Sequence, residues 1–175
     1  MGYFLSKIFS KYKDKRIIMV GLDSAGKTTL MMKLKSFLPE REPTIGYAVE
    51  CLEYKGLSII SWDLCVVDKV RVLWKYYYKN TNGIVFVVDS SDKSRLENAK
   101  EELNKMLAEE ELNNQPLLVM ANKQDIKESL SCNDIVDLLG LKDIKNRQWL
   151  VQGTSGVTGN GLTEGLDWMF KTLNK

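Results

Sequence analysis

The run Gly21-Leu22-Asp23-Ser24-Ala25-Gly26-Lys27-Thr28-Thr29 fits the pattern G-x-x-x-x-G-K-[ST], and no other feature limits the fold of this chain as tightly. It follows the apolar run Ile17-Ile18-Met19-Val20 and opens an amphipathic segment from Leu30 to Leu38. Strand, loop and helix therefore come in the order that a phosphate-binding loop requires. Glycines let successive backbone N–H groups turn inward on phosphate oxygens, and the helix N-terminus adds the positive end of its dipole. Lys27 is placed to reach the β- and γ-phosphates, and the Thr28 hydroxyl to sit on Mg²⁺. Asp23, Ser24, Ala25, Gly26 and Thr29 complete the candidate phosphate-binding set. The sequence implies a bound nucleoside phosphate.

A second run, Asn122-Lys123-Gln124-Asp125, ends the apolar stretch Leu117-Leu118-Val119-Met120-Ala121. This predicts an N-K-x-D turn at the carboxyl edge of a parallel sheet, where open α/β folds bind their ligands. A carboxylate such as Asp125 accepts from the ring N–H and the exocyclic amine of guanine together, as a charge-assisted pair. Adenine offers an acceptor where guanine has that ring N–H, and a dry site punishes the mismatch by about 1–3 kcal/mol or more. The reading is a guanine nucleotide, GTP or GDP, with Mg²⁺.

The remaining features fit one domain of 175 residues. A net charge of +2 is too small to imply nucleic-acid binding. The absence of histidine excludes His-based acid–base catalysis and His metal ligation. Cys51, Cys65 and Cys132 lack C-x-x-C spacing and read as reduced thiols. No apolar stretch approaches the length of a membrane span. Patterning predicts strands over 16–21, 47–54, 57–64, 83–89, 117–122 and 148–154. It predicts helices over 27–38, 68–78, 95–111, 133–139 and 162–173. Lys55-Gly56 reads as a hairpin turn, Ser94 with Glu97 as a capping box, and Gly140 as a helix stop. The expected architecture is a three-layer α/β/α sandwich around a mostly parallel six-stranded sheet with one antiparallel strand. Residues 1–15 form an arm and 16–175 the nucleotide-binding domain.

With these residues in hand, the chain resembles the small GTPases, and among them the ADP-ribosylation factor family, over essentially its whole length. The markers are Met1-Gly2, the phosphate loop, Pro43-Thr44-Ile45-Gly46, Trp62-Asp63 and Asp68-Lys69-Val70-Arg71 with Leu73-Trp74. Val87-Val88-Asp89-Ser90, Ala121 to Asp125 and Gly161-Leu162 continue them in order. The resemblance implies that Thr44 lies in the first switch and reaches Mg²⁺ and the γ-phosphate, while Asp63 holds Mg²⁺ through water. It implies a third base-contacting loop at Thr154-Ser155-Gly156-Val157, with Gly156 where the family usually has Ala. It places Tyr47, Trp62 and Tyr77 as an aromatic surface for effectors. It further implies exchange factors, GTPase-activating proteins and a cytoplasmic protein reversibly attached to the Golgi or another endomembrane in vesicle trafficking.

The departures are informative. The family pattern Trp-Asp-x-Gly-Gly-Gln-Asp reads Trp62-Asp63-Leu64-Cys65-Val66-Val67-Asp68 here. Val66, at the position whose N–H approaches the γ-phosphate, is β-branched and restricted in φ. Val67 stands for the glutamine that orients the attacking water, and its isopropyl group cannot hydrogen-bond water. No catalytic residue is intact at that position, so slow hydrolysis is expected. Ala48 replaces an asparagine after the first-switch glycine, which puts the usual exchange-factor recognition in doubt.

Met1-Gly2-Tyr3-Phe4-Leu5-Ser6 fits the myristoylation pattern M-G-x-x-x-[ST], with Gly2 the acylated residue. Phe4, Leu5, Ile8, Phe9 and Tyr12 make one apolar helical face. Lys7, Lys11, Lys13, Lys15 and Arg16 against Asp14 leave the stretch at +4. A single acyl chain attaches only marginally, and a basic amphipathic helix is the second signal it needs. The segment is too short and too charged for a signal peptide. Three function classes remain: a GDP/GTP switch at membranes, a guanine-nucleotide-binding scaffold that hardly hydrolyses, and, less favoured, a P-loop kinase or ATPase.

Overall fold

The computed structural model describes residues 15–36, 50–61 and 78–175. The N-terminal arm with Gly2, the first-switch residues Thr44, Tyr47 and Ala48, and the stretch 62–77 lie outside the described residues. That stretch holds Trp62, Asp63, Cys65, Val66, Val67 and Tyr77, and with them all but the last residue of the helix expected over 68–78.

The strands are β1 (Lys15–Gly21), β2 (Glu50–Tyr54), β3 (Leu57–Ser61), β4 (Gly83–Asp89), β5 (Leu117–Asn122) and β6 (Trp149–Gly153). Among the described residues the α-helices are α1 (Lys27–Lys35), α2 (Leu96–Leu107), α3 (Cys132–Leu138) and α4 (Leu162–Leu173). Spatial order in the sheet is β2-β3-β1-β4-β5-β6. Every neighbouring pair is parallel except β2 and β3, the expected hairpin. At its turn Lys55 and Gly56 both have positive φ, 49° and 83°, as the tight two-residue turn that matches strand twist demands.

Alternation along the central strands separates two cores. Ile18 and Val20 of β1, Ile84, Phe86 and Val88 of β4, and Leu117, Val119 and Ala121 of β5 face α2 and α3. Ile17 and Met19, Val85 and Val87, and Leu118 and Met120 face α1 and α4. The near-continuous apolar runs of these strands are explained by burial on both faces. On α1, Lys27, Leu30, Met31 and Leu34 are buried, the i, i+3, i+4, i+7 stripe of a helix lying on a sheet.

Two local expectations are corrected. Ser94 and Glu97 form no capping box. Asp92 captures Ser94 first, accepting from its amide at 3.1 Å and its hydroxyl at 2.6 Å, and this closes a 3₁₀ turn over Lys93–Arg95. The helix then starts at Leu96 with Arg95 as N-cap and no side-chain cap, and it ends at Leu107 rather than 111. A separate 3₁₀ turn, Glu110–Leu112, takes up the rest. The capping box sits instead on α3, where Ser131 and Asp134 satisfy each other's amides. Gly140, at φ 69°, follows that helix as expected.

Candidate nucleotide site

The strand register gathers the chemistry at one edge. Gly21 pairs with Val87, Asp89 with Asn122, and Ala121 with Gly153, so β1, β4, β5 and β6 all end on the same side. The chain runs from β1 to one half of the sheet and later returns to the other. This makes the carboxyl end of β1 a topological switch point, where such folds open a binding crevice.

The loop after β1 wraps around the ammonium of Lys27. That side chain is 3% exposed, and its Nζ donates to the carbonyls of Gly21 at 2.9 Å and Leu22 at 2.6 Å. Gly26 caps α1 at φ 96°, and a Cβ there would lie 2.4 Å from Asn122 Nδ2. Only glycine serves at that point, because both the backbone angle and the close neighbour exclude a side chain. Thr28 and Thr29 are exposed on the first turn of α1.

Asn122 acts as a clip between two loops. Its side chain is buried, donates from Nδ2 to Ala25 O at 2.9 Å, and accepts at Oδ1 from the Gly156 amide at 3.2 Å and the Thr154 hydroxyl at 3.4 Å. One amide group thus ties the phosphate loop to the loop after β6. The Gly156 N–H, in the loop that the resemblance assigns to base contact, is committed to Asn122, and a base would share that donor. Asp125 is exposed and is oriented by Ser155, whose hydroxyl donates to Asp125 Oδ1 at 2.6 Å and accepts from the Thr158 amide at 3.1 Å. A Cβ on Gly156 would approach Thr29 Cγ2 to 3.0 Å, so the family's alanine is tight beside this threonine. Val157 is 68% exposed, an apolar side chain left in water next to the base turn.

Asp89, Ser91 and Arg95 join the site without a motif to announce them. Lys123, at φ 69°, donates to Asp89 Oδ2, and Ser91 holds the other carboxylate oxygen through its amide at 2.9 Å and its hydroxyl at 2.6 Å. Partial burial pushes the Asp89 carboxyl up, but the bonds from Lys123 and Ser91 outweigh that and leave it below its ordinary value. Asp89 could have been suspected from its place at the end of an apolar strand. Arg95, which grips Asp23, gave no such signal.

These residues can hold an anionic ligand at the loop amides and Lys27, and a base with adjacent donors at Asp125. Mg²⁺ takes oxygen ligands, and the exposed Thr28 hydroxyl is a donor of that kind. The glycine pressed against Asn122 and the buried ammonium within the loop fit a nucleotide phosphate chain. Fold and site together define a P-loop protein of the small guanine-nucleotide-binding class. The match to the ADP-ribosylation factor family model extends over residues 1–173, and the chain belongs to that family. It is a small GTPase of the Arf type; membership implies GTP/GDP and Mg²⁺ in general, and exchange factors, GTPase-activating proteins and effectors as classes of partner.

Proposed function

We propose that this chain is a GDP/GTP switch of the Arf type that works at a membrane surface and hydrolyses GTP slowly. The Asn122 clip carries the nucleotide reading: it sets Asp125's turn, the Gly156 loop and the phosphate loop in one fixed relation. In this reading Asp23 to Thr29 hold the phosphates, Asn122, Lys123, Asp125, Ser155, Gly156 and Val157 the base, and Thr28, Thr44 and Asp63 the metal. The basic arm with its apolar face and Gly2 supports reversible attachment to the cytoplasmic face of an endomembrane such as the Golgi, in trafficking. Tyr47, Trp62 and Tyr77 offer the effector surface.

Cys65-Val66-Val67 favours a second reading, a scaffold that binds guanine nucleotide and hardly turns it over. Titration with GDP, GTP and ADP followed by single-turnover hydrolysis separates the two. We expect guanine selectivity and turnover at or below roughly 10⁻⁴ s⁻¹. Cys65→Gly, Val66→Gly and Val67→Gln together should outpace Val67→Gln alone, because Val66 restrains the backbone as well. Wild-type hydrolysis as fast as the triple variant's would reject the impairment and leave the nucleotide assignment in place.

A further inference from the structure

Arg95 makes three contacts with one residue of the phosphate loop, Asp23. Its Nη1 donates to the Asp23 backbone carbonyl at 2.9 Å and to Asp23 Oδ2 at 3.3 Å, and its Nη2 donates to Asp23 Oδ1. An exposed ion pair is ordinarily close to neutral in effect. The carbonyl contact sets this one apart, because it fixes main chain inside the phosphate loop.

The peptide between Asp23 and Ser24 is planar and trans, so its N–H points opposite to its C=O. Holding the Asp23 carbonyl toward Arg95 therefore directs the Ser24 amide away from Arg95. Ser24 has φ 59°, a left-handed conformation that a non-glycine residue keeps only where its surroundings enforce it. This half of the loop also holds the Lys27 ammonium on the Gly21 and Leu22 carbonyls, so it belongs to the part that meets the distal phosphates.

Arg95 is itself firmly placed. Two Asp-x-Ser turns lie back to back before it: Asp89 accepts from Ser91, and Asp92 from Ser94. The Arg95 amide then closes on Asp92 O at 3.3 Å. The guanidinium is presented from a braced segment, with the planar fork that matches a carboxylate.

We propose that Arg95 is a positioning residue of the phosphate loop, holding the Asp23 peptide so that the Ser24 amide is set for the distal phosphates of the nucleotide. This rests on the guanine-nucleotide reading. The test is release of a fluorescent GDP analogue, with GDP and GMP affinities, for Arg95→Ala, Arg95→Lys, Asp23→Ala and the double variant. Arg95→Ala should speed GDP release about tenfold while GMP affinity stays within about twofold, since GMP has no distal phosphate. Arg95→Lys should fall between, being a point charge without the fork. Asp23→Ala keeps the carbonyl contact and should cost less than Arg95→Ala. The double variant should match Arg95→Ala, as coupled residues do. Unchanged GDP release in Arg95→Ala, or equal loss for GMP and GDP, would overturn the assignment. A wild-type chain that binds no GDP would instead overturn the nucleotide reading beneath it.

Discussion

Removing the Asn122 side chain should separate the two halves of the nucleotide site. Asn122→Ala deletes the donor to Ala25 O at 2.9 Å and the acceptor for the Gly156 amide at 3.2 Å, and it leaves the Thr154 hydroxyl bond at 3.4 Å unmade. The first two partners are backbone groups in a buried setting, and an unsatisfied one costs about 1–3 kcal/mol. The third bond is long and adds little. Allowing for water entering one vacated place, the loss is roughly 2–4 kcal/mol. If it falls mainly on the aligned, nucleotide-ready geometry, GDP should weaken by roughly 30- to 1,000-fold at 1.4 kcal/mol per decade. Competition binding measures the affinity, and calorimetric melting without nucleotide measures what the fold itself loses. Asn122→Asp sharpens the test: it retains the acceptor for Gly156 but sets a carboxylate against the Ala25 carbonyl. It should bind GDP no better than the alanine variant. GDP affinity within threefold of wild type in Asn122→Ala would refute the clip, because loops that align without the amide do not need it.

Asp125→Asn should weaken GDP and favour XDP, whose extra carbonyl suits an amide donor; equal loss of both in competition binding would count against the base assignment. Gly156→Ala brings a Cβ within 3.0 Å of Thr29 Cγ2, and thermal melting should show a loss of about 1 kcal/mol that Thr29→Ser relieves by removing that methyl. The Asp89 carboxyl is held below its ordinary value in the folded state, so its contribution is present above the unfolded value near 3.8 and fades as pH falls through the folded value. Urea unfolding at pH 6, 4 and 3 should therefore show a smaller acid loss in Asp89→Asn than in wild type.

What could be read in advance follows from how local each signal is. Strands β1, β4 and β5 were plain because burial on both faces demands unbroken apolar runs, and Gly26-Lys27-Thr28 announces its loop through a backbone angle and a charge. The Ser94–Glu97 pattern misled because capping is a competition: Asp92 lies two residues before Ser94 and engages both its amide and its hydroxyl. The partners of Asn122, Lys123 and Asp125 were out of reach for a different reason. Their bonds span 97, 34 and 30 positions of chain, and only the sheet register brings them together. Motif spacing names the base turn but not the Ser155 hydroxyl that orients it, nor the Asp89 carboxylate that holds its lysine.

The segment from Asp89 to Arg95 joins these observations. Its first residue holds Lys123 of the base turn, and its last grips Asp23 of the phosphate loop. With two Asp-x-Ser turns between them, one connector from β4 to α2 braces both halves of the site. The halves nevertheless meet different parts of a nucleotide, and that makes the bracing separable. Asp89→Asn replaces the charged partner of Lys123 with an amide, so it should weaken GMP and GDP by the same factor, because both carry the base. Arg95→Ala should weaken GDP alone. Combining the substitutions should then add their effects for GDP and leave GMP where Asp89→Asn put it. A double variant that weakens GMP well beyond Asp89→Asn would mean that the connector responds as one body, and that the base turn and the phosphate loop lose their places together.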